Sequence, residues 1–184
     1  MALVSVIGCG GISLAEEASP SDTMISAEAA ADFIHAVVEA HRTIYSTHIV
    51  ERMQKQGKVV IEEDWEQNGG LPLPAQFLLY AGGLAAEKGG GVRLRLASLW
   101  PINQRNLPTT PFEKDGLLAV AINPEEPFSS VLSAGRRKIF KAIYADRAVS
   151  ESCVNCHNSH ALSPKKDFKV GDVMGAIIIT FPIY

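Results

Sequence analysis

Apolar residues recur at helical spacing through the first third of the chain. From Ser26 onward the pattern predicts one long helix that ends near Gly57. Glu39 and Arg42 lie on one side of this helix, where we expect solvent. The opposite side is predicted to be buried, because its apolar residues share one face at about 100° per residue: Ala30, Phe33, Val37, Ala40 and Ile44, flanked by Ile34 and Tyr45.

Further along the chain, short apolar segments alternate with loops that are rich in glycine and proline. The alternation of apolar residues with arginines over 92–96 is typical of a strand. The other predicted elements are helices over 74–88 and 111–121, a hairpin over 128–144 and a final strand over 173–182. Together they indicate an α+β fold with a long N-terminal helix and about four antiparallel strands.

Composition places the chain among ordinary globular proteins. Its 184 residues suit one domain, and 47% of them are hydrophobic while 20% are charged. The net charge of −3 leaves no basic surface for a polyanion, so nucleic acid is excluded as an expected partner.

The first residues resemble an export signal. Residues 2–14 are uncharged and mostly apolar, and Ser13-Leu14-Ala15 fits a cleavage site, which predicts a signal peptide over 1–15 and one domain over 16–184. The run is too short to span a bilayer. Two alternatives remain open: a lipoprotein anchored through Cys9, and a dinucleotide-binding turn at Gly8, which would require a helix directly after it.

The motif Cys153-Val154-Asn155-Cys156-His157 has the spacing of a c-type haem attachment site. Two thiols about one helical turn apart can each form a thioether to a haem vinyl group, and the adjacent imidazole then serves as the proximal iron ligand. A zinc site would need Cys153, Cys156, His157 and His160, which is unusually crowded, and a dithiol redox pair would need a βαβ context.

Cysteine usage agrees with export. Cleavage after Ala15 removes Cys9 and leaves only the two cysteines that the haem would consume. Covalent haem attachment in bacteria takes place outside the cytoplasmic membrane. The sequence therefore predicts a periplasmic protein with one covalently bound haem c.

Further motifs narrow the assignment. They are Gly70-Leu71-Pro72-Leu73-Pro74-Ala75, Ser98 with Trp100-Pro101, Asn103, Asn106 and Pro108, then Phe112-Glu113, Asp167-Phe168, Gly171-Asp172 and Gly175-Ala176. With the Cys-x-x-Cys-His element, they resemble the single-haem c-type proteins with a PAS-like core. This family has long been catalogued as a domain of unknown function and occurs alone or ahead of bacterial signalling modules. The resemblance covers most of the chain and implies a PAS-like fold with the haem site just before the last strand.

The second iron ligand and the contacts to the haem propionates are less defined by sequence. His48 is the predicted distal ligand and His41 the alternative, since both lie beside the apolar face of the long helix. Arg93, Arg95 and Arg105 are candidate propionate contacts, as are Lys165 and Lys166.

Two uses of the haem fit the sequence. The first is electron transfer or redox sensing by a periplasmic monohaem cytochrome, with a redox or signalling protein as partner. The second is sensing of a diatomic gas together with a separate output protein, because the chain shows no output domain of its own. A weak peroxidase activity would need an acid–base histidine and an arginine at one open site. His41-Arg42 supplies those types at adjacent positions that point about 100° apart, so an enzyme is not predicted.

Overall fold

The computed structural model describes residues 24–184. The predicted cleavage after Ala15, the alternative anchor at Cys9 and the turn at Gly8 lie outside these residues. Over the described part, no helix combines the length and the apolar character that crossing a membrane requires.

The architecture is α+β and PAS-like, as predicted, with a sheet of four antiparallel strands in the order β1-β4-β3-β2. The helices are α1 (Ala27–Ile44), α2 (Arg52–Lys55), α3 (Trp65–Asn68), α4 (Pro74–Glu87), α5 (Pro111–Ile122) and α6 (Glu151–Ser159). A π-helix (Tyr45–Glu51) joins α1 to α2, and a 3-10 turn covers Gln104–Asn106. The strands are β1 (Arg93–Ala97), β2 (Phe128–Ala134), β3 (Arg137–Arg147) and β4 (Val173–Ile183).

The last strand lies inside the sheet and is apolar on both faces. Ile177, Ile178 and Ile179 are each at most 1% exposed, since β4 pairs with β1 on one side and with β3 on the other. Ile177 and Ile179 face α1 and α4, whereas Ile178 faces α5. Burial on both faces explains why this strand reads as a nearly continuous apolar run.

Helix α1 uses a different face from the predicted one. Ala31, Ile34 and Val38 pack against the sheet, while Phe33 and Val37 are 63% and 56% exposed. Polar groups fix this orientation, because the Tyr144 hydroxyl donates a 2.7 Å hydrogen bond to Asp32. The prediction that the Phe33 face is buried was therefore wrong.

Arg42 also departs from the prediction. It was expected in solvent, but its side chain is only 10% exposed and forms a 2.9 Å ion pair with Asp146 at the end of β3. The pair anchors the C-terminal end of α1 to the sheet.

Helix α5 is held on the opposite face of the sheet by a buried carboxylate. Glu113, whose side chain is 3% exposed, accepts hydrogen bonds from Arg95 Nη1 at 2.7 Å and Lys141 Nζ at 3.0 Å. It also accepts from the Thr109 amide and hydroxyl at 2.8 and 2.9 Å. Burial by itself raises the pKa of Glu113, but the hydrogen bonds from Thr109 and Lys141 outweigh burial and leave this pKa below its usual value.

The lowered pKa of Glu113 predicts a pH-dependent contribution to stability. A carboxyl group whose pKa is lower in the folded state stabilises the fold above its unfolded pKa of about 4.3, and this stabilisation is lost as the pH falls through the folded pKa. We expect Glu113→Gln to lower the free energy of unfolding by about 1–3 kcal/mol at pH 7. Urea denaturation should show this difference shrinking as the pH falls below about 4. Asp115→Asn, at an exposed position of the same helix, is the control, and an equal effect of both variants would contradict the prediction.

Candidate functional site

Helix α6 carries the two cysteines and the histidine of the haem motif. Cys153 and Cys156 are three residues apart and therefore lie on one side of the helix. Both are free thiols, with Cys153 half-buried and Cys156 exposed. Partial burial, reinforced by Cys153 and Glu63, raises the pKa of the Cys156 thiol. The helix thus presents two free thiols on one side, in the arrangement that two thioether links require.

His157 follows directly and is half-buried. Its ring packs edge-on against Phe168, with the ring centroids 6.0 Å apart. Burial lowers the pKa of His157, and the nearby charges of Arg42 and His160 lower it further, so the imidazole is neutral at pH 7. Its Nδ1 atom is buried without a hydrogen-bond partner among the described residues. A neutral imidazole with an unsatisfied ring nitrogen fits the role of an iron ligand.

Asn158 ties this helix to the loop that precedes β4. Its amide Nδ2 donates to the Phe168 carbonyl at 2.9 Å, and its Oδ1 accepts from the Phe168 amide at 3.0 Å. Phe168 also belongs to a small core with Ala148 and Val154. The orientation of Phe168 beside His157 is thereby fixed by two reciprocal hydrogen bonds.

One face of the N-terminal helical segment lies along α6 and the end of β3. Four residues at four-residue intervals form this face. Arg42 pairs with Asp146, Ser46 and Val50 are buried, and Gln54 accepts a hydrogen bond from the Ser152 hydroxyl. We call these four residues the inner row. The π-helix contains its two middle members, and π-helical turns are frequent at functional sites. The inner row therefore forms the wall of the site that faces α6.

Comparison with known proteins assigns this arrangement to a family. The model of the Tll0287-like family matches residues 20–182. The chain belongs to the Tll0287-like family. Among solved structures, the chain is similar to the cyanobacterial heme-protein Tll0287 at 20% identity and a TM-score of 0.44, over 61% of this chain and 73% of that chain. No curated protein matches the chain significantly.

Membership of the Tll0287-like family confirms the resemblance drawn from the sequence motifs. In the structure, the motif Gly171-Asp172 closes the loop between α6 and β4. Gly171 has a φ of +93°, which favours glycine, and its amide donates to the Ala148 carbonyl at 2.8 Å. The Asp172 side chain accepts from the Lys169 amide at 2.8 Å. These bonds hold the Phe168 loop of this Tll0287-like chain against the haem motif.

The predicted distal ligands are both exposed. His41 lies on α1, and His48 lies on the π-helix with its Nδ1 atom 2.7 Å from the Thr47 hydroxyl. Tyr45, between them, is buried and donates a 2.7 Å hydrogen bond to the Pro72 carbonyl. Helix α6 contacts the π-helix that carries His48, and the role of His48 as a ligand stays a prediction.

The predicted propionate contacts fall in separate places. Arg95 donates hydrogen bonds to Glu113 and to two backbone carbonyls. Arg93 is exposed at the start of β1, and Arg105 is exposed in the 3-10 turn. Lys165, by contrast, lies over the Phe168 ring with its ammonium 4.9 Å from the ring centroid. Of the cations named from the sequence, Lys165 is therefore the one shown in contact with a neighbour of His157.

The sequence did not predict the role of Arg42, whose charge acts on His157 from the inner row. The available signal was that Arg42 is the single lysine or arginine of α1. The alternative zinc site is not supported, because within residues 24–184 no three metal-binding side chains cluster to hold an ion. The Nδ1 atom of His160 instead accepts a 3.2 Å hydrogen bond from the Leu162 amide.

Proposed function

We propose that this protein is an exported monohaem c-type cytochrome that acts in electron transfer or redox sensing. Cys153 and Cys156 would carry the thioether links, and His157 would be the proximal iron ligand. The arrangement on α6 carries this proposal: two free thiols on one side of the helix, beside a neutral imidazole with an unsatisfied ring nitrogen. Membership of the family named after Tll0287, which is itself described as a heme-protein, supports it.

When bound, the haem supplies a one-electron redox centre. The residues of the chain determine its surroundings. Burial and the charge of Arg42 keep His157 unprotonated, so its lone pair is available for iron over the neutral pH range. Asn158 and Phe168 restrict movement of the helix that carries the attachment site. A constrained ligand favours electron transfer, because little rearrangement accompanies a change of oxidation state.

The same structure does not favour a peroxidase. Catalysis of that type needs an acid–base histidine and a charge-stabilising arginine at one open site. His41 is exposed, whereas Arg42 is buried and paired with Asp146 on another side of the helix. We therefore propose no enzymatic activity, and gas sensing with a separate output protein is the second candidate function.

Carbon monoxide tests the proposal through the sixth ligand of the iron. We expect the Soret band of the reduced protein to remain unchanged on addition of carbon monoxide, because His48 would hold the sixth position of a bound haem. His48→Ala should open that position and make the band shift. His41→Ala is the matched control and should behave like the unmodified protein.

Two outcomes would contradict these expectations separately. A Soret shift in the unmodified protein would replace electron transfer with gas sensing. An unresponsive His48→Ala variant would remove His48 as the distal ligand while leaving the electron-transfer proposal intact.

A further inference from the structure

Helix α1 has a second apolar face that no other element within residues 24–184 covers. We call it the outer stripe, and it consists of Phe33, Val37, Ala40 and Ile44, whereas Ala30, one turn before Phe33, packs against the core on the sheet. Phe33, Val37 and Ile44 are 63%, 56% and 53% exposed, while other residues of the helix pack on the sheet. Met24 and Ile25, just before the helix, are also exposed, at 88% and 63%. Contiguous apolar surface of this kind marks an interaction site more often than isolated apolar residues do.

The spacing of the outer stripe indicates what covers it. Its members alternate at intervals of three and four residues, which is the heptad pattern of a helix that packs lengthwise against another helix. In this heptad, Val37 and Ile44 occupy the a positions of the core, and Phe33 and Ala40 occupy the d positions. A ligand pocket or a loop would not require this repeat.

The residues beside the outer stripe allow a close approach. Ala29, Ala36 and Thr43 border it on one side, and Ile34 and His41 border it on the other. None of them carries a carboxylate, an ammonium or a guanidinium group. The four charged residues of the helix, Glu28, Asp32, Glu39 and Arg42, lie outside the stripe and its borders.

The absence of charge along the outer stripe favours a second copy of the chain over a different protein or a membrane surface as the partner. In paired helices, charged residues beside the core positions set the choice of partner, and α1 has none there to favour a different protein. A membrane surface would be expected to attract lysines and arginines, whereas the single such residue of α1, Arg42, is buried in its ion pair. A second copy presents an identical uncharged stripe, and a two-fold axis brings the same patch of both copies together.

We propose that the protein forms a two-fold homodimer in which the outer stripes of two α1 helices pack against each other. The helix has 18 residues, or a length of about 27 Å, so the interface is short. A short interface of this type belongs with weak or transient complexes, and the dimer should dissociate in the micromolar range. The proposal does not depend on the haem.

Sedimentation velocity of the full chain from about 1 to 200 µM tests the dimer, with the concentration range set by the expected affinity. We expect a reversible shift from monomer to dimer. Val37→Glu places two unpaired carboxylates in the apolar interface and should weaken association by about a hundredfold or more. Because Val37 is 56% exposed in the monomer, the variant should fold normally, as circular dichroism would show.

Ile122→Glu is the matched control. Ile122 is an apolar residue of α5 that is 86% exposed and lies outside the outer stripe, so its replacement should leave the dimer unchanged. A protein that stays monomeric over the whole range would overturn the proposal. A dimer that tolerates Val37→Glu, or that Ile122→Glu disrupts equally, would also overturn it.

Discussion

Replacing Cys153 and Cys156 together with serine should abolish covalent haem binding. Serine keeps the size of the side chain but cannot form a thioether, so no link to the macrocycle remains. The unmodified protein, made together with a c-type maturation system, should carry one haem per chain that survives acid–acetone extraction. Intact-mass spectrometry should show that the double variant has the mass of the bare polypeptide.

Cys9 provides the control for this experiment. Cys9→Ser removes the remaining cysteine of the chain and should leave haem incorporation unchanged. If the Cys153/Cys156 double variant still carried haem after acid–acetone extraction, the haem would be attached at another site. A colourless unmodified protein of polypeptide mass, made under the same conditions, would refute the proposed haem c.

Replacing Asp146 with alanine should cause a large loss of stability. Asp146 and Arg42 are 13% and 10% exposed, and removing the carboxylate leaves the buried guanidinium charge without its partner. Loss of one member of a buried pair costs about 3–5 kcal/mol. Burial raises the pKa of Asp146, and Arg42 opposes this rise, so the pair depends on close contact. Urea denaturation should measure the loss as a lower free energy of unfolding.

The neighbouring pair of Arg147 with Glu125 is the comparison. Its side chains are 39% and 82% exposed, and Glu125→Ala should cost at most about 1 kcal/mol. Combining Asp146→Ala with Arg42→Met should recover much of the stability, because it removes the stranded charge as well. If Asp146→Ala costs no more than Glu125→Ala, the buried pair does not anchor α1.

The strands and most helices could be predicted from sequence because their signals are local. A period of two gives β1, and a continuous apolar run gives β4, which is buried on both faces. The haem motif is local in the same way, since the two cysteines proposed for the thioether links and the proposed proximal ligand lie within five consecutive residues. The sequence therefore specified residues 153–157 as the candidate site without knowledge of the fold, although it did not predict the helix that carries them.

The environment of the site could not be predicted, because it depends on distant pairs. Arg42 and Asp146 are 104 residues apart, and Asn158 finds Phe168 through a loop whose course is set by the sheet. The face of α1 was predicted wrongly for a different reason. The helix has two apolar faces, and a periodicity analysis cannot tell which of them meets the sheet and which is left for another surface.

The inner row has a consequence for the alignment of this helical segment with the sequences of relatives. In a regular α-helix three turns take about 11 residues, but the row from Arg42 to Gln54 takes one residue more. The wide turns of the π-helix, Tyr45–Glu51, accommodate the additional residue, so that all four residues of the inner row lie on one face of the segment. A relative with unbroken α geometry would have to supply the partner of Ser152 one position earlier, so an alignment of this segment needs a single-residue gap there.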